Sequence, residues 1–155
     1  MSAQDIFIPQ KTRINNPKNT FRWKFGDNPQ TEADYSRFFH NVYMPTGEES
    51  WVFSGSVNEP DSPDYFQFLM SIPDIGEPPK DKEFTLENGL SFRHVHSIGA
   101  PPGFIGYRTV NADSAELIIT IDLVKGAAQG KFNAHFKSHG YRIQPAGSFT
   151  LYLST

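Results

Sequence analysis

Cysteine is absent from the 155 residues. Disulfide staples, thiolate nucleophiles and thiolate metal sites are thereby excluded, and either redox compartment would suit the chain. Long apolar runs are missing as well: nothing approaches the ~20 residues that a membrane-spanning helix needs. The N-terminus, Met1-Ser-Ala-Gln-Asp5-Ile-Phe-Ile-Pro9, has neither the basic n-region nor the apolar h-region of a secretory signal. A soluble protein is expected, with no compartment assigned.

Catalytic patterns are equally scarce. No Gly-x-Ser-x-Gly elbow occurs. Gly126 to Phe132 resembles a phosphate-binding loop, but it is one residue short, has Phe132 where a hydroxyl is needed, and joins two strands instead of opening a helix. The acids offer no pair set apart as general acid and base.

What the chain does have is aromatic volume and punctuation. Fourteen Phe supply core, while 12 Pro and 12 Gly interrupt the sequence often, a mixture that favours many short strands over long helices. The net charge of −3 conceals a division. Residues 6–26 carry Lys11, Arg13, Lys18, Arg22 and Lys24 and no acid, whereas residues 27–83 carry twelve acids against Arg37, Lys80 and Lys82. The basic segment is expected to lie against the acidic middle of the same fold. As a footprint for nucleic acid it is too dilute, and no nucleic-acid partner is expected.

The clearest pattern lies in the last quarter. Leu117, Ile119, Ile121 and Leu123 alternate with Glu116, Thr120 and Asp122; Phe132, Ala134 and Phe136 with Lys131, Asn133, His135 and Lys137; Phe149, Leu151 and Leu153 with Ser148, Thr150 and Tyr152. Period two with one apolar side predicts three strands of an antiparallel meander whose oily face needs a second layer. Turns are expected at 125–130, 138–140 and 145–147. Upstream, Phe21, Trp23 and Phe25 mark a first strand, Trp51–Val57 a strand interrupted by Gly55, and Tyr65–Ile72 another; Phe104–Val110 adds one more. The acidic loop Glu59–Asp64 has oxygens suited to calcium, but its two prolines favour plain turn initiation.

Tyr35, Phe38, Phe39, Val42 and Tyr43 follow helical spacing, and Thr31 with Asp34 suits a capping box, so one short helix is expected near residues 32–43. Between Phe84 and Phe92, a three-residue loop Glu87-Asn88-Gly89 with Gly89 left-handed would put Phe84, Leu86, Leu90 and Phe92 on one face of a hairpin. The fold expected is a single all-β domain over residues 20–155, an antiparallel β-sandwich of about eight to ten strands. A closed β-barrel is the runner-up, and residues 1–19 form an extended lead-in.

The most specific chemical signal is His94-Val95-His96. Histidines at i and i+2 on a strand share one side, here the buried one, which is how strand-borne zinc, iron or manganese sites begin. A third ligand could come from His40, His135, His139 or an acid. His-x-His with Gly89 upstream resembles the first motif of the cupins, but no glutamate follows in Ser97–Gly103, and the cupin site is not carried over. Glycan stacking would fall to Trp51, Tyr107 or Tyr141, if exposed beside Asn and Asp.

Gly130-Lys-Phe132 and Gly147-Ser-Phe149, after Ile119-Thr-Ile-Asp122 and Lys82-Glu-Phe-Thr-Leu86, together resemble the closing strands of small β-sandwich domains of unknown function in bacterial surface lipoproteins. The resemblance covers roughly residues 80–155 and implies a sandwich without naming an active site. The function expected is a non-enzymatic binding module that recognises a glycan or a protein through loops or a sheet face, with no cofactor. The alternatives are a metal-dependent enzyme of cupin-like type holding a divalent transition metal at His94 and His96, and a subunit that self-assembles through a sheet edge.

Overall fold

The computed structural model describes residues 16–154. The three alternations of the last quarter are the strands β9 (Ser114–Asp122), β10 (Ala127–His135) and β11 (Pro145–Tyr152), paired antiparallel in chain order. On the far side of β11 lie β1 (Thr20–Phe25) and then β2 (Thr31–Glu32), while β6 (Lys82–Thr85) joins β9. The second sheet runs in the order β3 (Tyr35–Tyr43), β4 (Glu48–Val57), β5 (Phe66–Pro73), β7 (Ser91–Ile98) and β8 (Gly106–Asn111). Two open antiparallel sheets face each other, so the architecture is the sandwich and not the barrel.

Alternation decides what lies between them. Phe21, Trp23, Leu117, Ile119, Phe132, Phe149 and Leu151 descend from the six-stranded sheet, and Phe38, Phe53, Phe68, Met70, Ile72 and Phe92 rise from the five-stranded one, all buried. Phe149 spans the layers, stacked on Phe21 at 5.5 Å within its own sheet and on Phe53 at 5.2 Å across the gap. Each such side chain withdrawn from water contributes about 1.5–3 kcal/mol.

Residues 31–43 form no helix. They are β2 and β3, and β3 runs beside β4 from Tyr35 opposite Ser56 to Tyr43 opposite Glu48. The segment is rich in aromatic and branched residues that suit a pleated surface, and the backbone ladder along β4 outweighs a helical spacing that about two and a half turns could match by chance. Asp34 does not complete a capping box; its carboxylate accepts the Asn58 N–H at 2.7 Å.

Phe84, Leu90 and Phe92 are buried and Leu86 packs against the core, with Gly89 left-handed at φ 111°. Yet β6 and β7 do not pair. A 3-10 turn, Leu86–Asn88, carries the chain from one sheet to the other, held by Asn88 Oδ1 accepting the Thr85 N–H at 2.5 Å. A hairpin and an arch between facing sheets bury the same parity, so alternation alone cannot separate them. Gly55 does not interrupt β4 either: a β-carbon there would sit 2.3 Å from the Phe21 ring, which fills its place. Pro145 to Gly147 open β11 instead of turning before it, Pro145 taking the first position of the strand.

Residues 1–15 of the expected lead-in lie outside the described residues. At its end Asn19 joins the two sheets, donating from Nδ2 to the Ser36 carbonyl at 3.2 Å and accepting the Tyr152 N–H at 2.8 Å. No helix among the described residues is long and apolar enough to cross a membrane.

Candidate functional site

His94 and His96 stand on the inner face of β7 near its end, where parity puts them. His94 is 1% exposed, and neither ring nitrogen has a hydrogen-bond partner. Its surroundings are rings: Phe66 stacks at 5.4 Å, Phe136 meets it edge-on at 4.7 Å and Tyr141 at 5.0 Å. Desolvation, reinforced by the charge of His96, lowers its pKa to about 4. His96 is half-buried; its Nε2 lies 2.8 Å from the Tyr141 hydroxyl and its Nδ1 3.1 Å from the Ser97 carbonyl. Neither His135, exposed on the outer side of β10, nor His139, in the Ser138–Gly140 turn, groups with them as a third ligand among the described residues.

The three aromatics considered for sugar stacking part company. Trp51 is 7% exposed within β4 and offers no free face. Tyr107 donates its hydroxyl to the Pro60 carbonyl and meets Tyr65 edge-on at 5.8 Å, and burial followed by the charge of Asp61 raises its pKa. Tyr141 is engaged by the β7 histidines.

A different set of side chains does converge. His40 on β3, Glu49 on β4 and Asp74 just past β5 occupy the core-facing parity of three adjacent strands, one step beyond Phe38, Trp51 and Ile72, where the apolar filling ends. His40 Nε2 lies 2.9 Å from Asp74 Oδ2 and 3.7 Å from Glu49 Oε1. The imidazole is fixed from below by the Trp51 indole, edge to face at 4.6 Å. Asp74 is fixed from behind: its N–H bonds the Glu49 carbonyl at 2.9 Å, and its Oδ1 accepts the Gly76 N–H at 2.9 Å, leaving Oδ2 for His40. Sequence reading named His40 only as a spare ligand and passed over Glu49 and Asp74. Thirty-four residues separate the first from the last, and only the register of β3, β4 and β5 brings them together.

The remaining feature is a groove of about 650 Å³ on the outer face of the six-stranded sheet. Register builds it from two rows of side chains that cross four strands. Thr20 lies opposite Thr150, Thr150 opposite Gln129, and Gln129 opposite Thr120. One step along, Arg22 lies opposite Ser148, Ser148 opposite Lys131, and Lys131 opposite Ile118. Asp81 closes one end of the first row: its N–H bonds Thr120 Oγ1 at 2.9 Å, and that hydroxyl donates to its carboxylate at 3.2 Å. At the usual strand spacing the rows span about 14 Å. Among the described residues neither Arg22 nor Lys131 forms an ion pair. Thr20, Arg22, Thr120, Lys131, Ser148 and Thr150 are wet positions of the alternations that the sequence displays, whereas Gln129, expected in a turn at 125–130, lies in β10, and Ile118 is apolar. Comparison with protein-family models, with curated proteins and with solved structures returns no match for this chain.

Proposed function

We propose that this protein is a non-enzymatic binding module that takes a short acidic oligosaccharide along the outer groove of its six-stranded sheet. The observation that carries the reading is the pair of side-chain rows. Hydroxyls and an amide from four consecutive strands give donors and acceptors at strand spacing, which suits the repeated hydroxyls of a saccharide. Arg22 and Lys131, in the same row and in no ion pair among the described residues, give that ligand a preference for carboxylate or sulfate substituents.

A protein partner fits less well. The centre of a protein interface is apolar and aromatic, whereas the groove's wall has Ile118 as its one exposed large apolar side chain. Strands hold every lining position except Asp81, so recognition would require little ordering of the protein.

Isothermal titration with short uronic-acid oligosaccharides at low salt, against neutral oligosaccharides of the same length, tests the reading. Saturable binding of the acidic series is expected, weakened at least about tenfold in the Arg22→Ala, Lys131→Ala double variant, since each charge-assisted hydrogen bond contributes about 1.5–3 kcal/mol. Undiminished binding by the double variant, or no saccharide binding at all, would overturn it.

A further inference from the structure

We infer that His40, Glu49 and Asp74 form a site for one divalent transition metal ion, zinc being the best match, at the end of the five-stranded sheet. It is independent of the outer groove, which belongs to the other sheet.

Three observations carry the inference. The first is the donor set: one imidazole nitrogen and two carboxylates, the mixture that zinc accepts with three protein ligands and an open fourth position. A neutral imidazole with two carboxylates also balances the charge of a divalent ion. The second is spacing. Zinc–nitrogen and zinc–oxygen bonds of about 2.0–2.1 Å at the tetrahedral angle place donor atoms about 3.3 Å apart. The distances from His40 Nε2, 2.9 Å and 3.7 Å, lie on either side of that value, and all three donor atoms lie within 4.8 Å of one another.

The third is preorganisation of the less mobile pair. Trp51 sets the plane of the His40 ring, and the Gly76 N–H holds the far oxygen of Asp74, the outer support that metal ligands characteristically have. Glu49, whose side chain is 53% exposed, retains the freedom to swing in and complete the set. The cluster is open to solvent on that side, which provides the entry path.

Binding moves the ring proton from one nitrogen to the other. In the metal-free protein Nε2–H donates to Asp74 Oδ2; with the ion bound, Nε2 gives its lone pair to the metal and the ring's single remaining proton resides on Nδ1.

The test uses the full chain, prepared without a histidine tag and stripped with chelator, titrated with Co²⁺ and then with Zn²⁺. One equivalent of Co²⁺ is expected to give visible absorption bands and to quench Trp51 fluorescence, because that indole touches the ligand ring. Zn²⁺ is expected to displace it. His40→Gln and Asp74→Asn should weaken binding more than about a hundredfold, beyond what loss of an outer-shell partner does. Glu49→Gln, at an exposed side chain, should weaken it as well. His96→Ala should leave it unchanged. The inference fails if no saturable binding appears by millimolar Co²⁺, if Glu49→Gln and His40→Gln bind like the parent, or if His96→Ala abolishes binding that they retain.

Discussion

The ring of Phe149 lies across the backbone of Gly130, its tip 2.4 Å from where a β-carbon would stand, and the two residues are direct cross-strand partners. The relation is reciprocal. Phe132, two residues after Gly130, lies over Gly147, two residues before Phe149, at 2.6 Å from the corresponding point, and these two are again partners. Two Gly-x-Phe triplets on β10 and β11 thus clasp each other, each glycine making room for the other's ring. The two triplets have a physical task of their own.

Alanine at either glycine should therefore destabilise the fold, and unequally. At Gly130 the obstacle is one ring, which can shift, so about 1–3 kcal/mol is expected. At Gly147 the added carbon would also meet the Arg22 carbonyl oxygen at 2.0 Å, forcing β1 from β11, and the loss should exceed that range. Gly99→Ala, with nothing within 4 Å, should be neutral. Urea midpoints of the three variants check the order.

His94 predicts an acid-sensitive core. In the unfolded chain its imidazole takes up a proton near pH 6.5, but in the folded protein only near pH 4, because burial first and His96 second oppose the charge. The unfolded state thus binds more protons in that window. Stability should decline as pH falls from about 6.5 to about 4, by about 3 kcal/mol from this group, and no further below. His94→Leu should flatten that part of the profile at little cost at pH 7, since neither ring nitrogen has a partner to lose. An unaltered pH profile in urea denaturation of the variant would refute the assignment.

Both outcomes show what a sequence of this kind discloses. Parity was legible in most strands: it put Phe84 and Phe92 inside, His94 in the core, and Arg22, Lys131, Ser148 and Thr150 on the wet side of their strands, although Leu123 and Leu153, counted on the apolar side, are exposed. Register and partner choice were not, because they depend on backbone pairing between segments far apart in the chain. The helix expected at 32–43 fails for that reason: β4 supplies a neighbour that local spacing does not reveal. The same blindness hides His40, Glu49 and Asp74, and likewise the two rows of the groove, whose members apart from Gln129 and Ile118 were visible as polar strand positions but not as neighbours.

Asp113 anchors the loop that carries Tyr141 onto the histidines. Its carboxylate accepts the Lys137 N–H at 2.7 Å, the Ser138 N–H at 3.0 Å and the Ser138 hydroxyl, and these bonds, the hydroxyl's first, lower its pKa to about 2. The group therefore stabilises the loop above about pH 4 and ceases to as pH falls through about 2. Asp113→Ala should speed hydrogen exchange at the Lys137 and Ser138 amides at neutral pH while leaving the amides of the β4–β5 ladder protected. Unchanged exchange at Lys137 would show that the loop holds without the carboxylate.

Asn19 offers the sharpest test of how the two layers are joined. Its side chain bonds both sheets at the start of β1, donating to the Ser36 carbonyl on β3 and accepting the Tyr152 N–H on β11, and the residue is 9% exposed. Alanine there removes both bonds at once and takes the partner from the part-buried Tyr152 N–H, at about 1–3 kcal/mol. Asn16, whose carboxamide oxygen accepts only the exposed Lys18 N–H, has a side chain of the same chemistry four positions from the strand, and Asn16→Ala should be nearly neutral. Urea denaturation should therefore separate the two variants by about 2 kcal/mol or more, with faster exchange of the Tyr152 amide in Asn19→Ala alone. Equal midpoints would mean that packing between Phe149, Phe21 and Phe53 holds the sheets in place without this bridge.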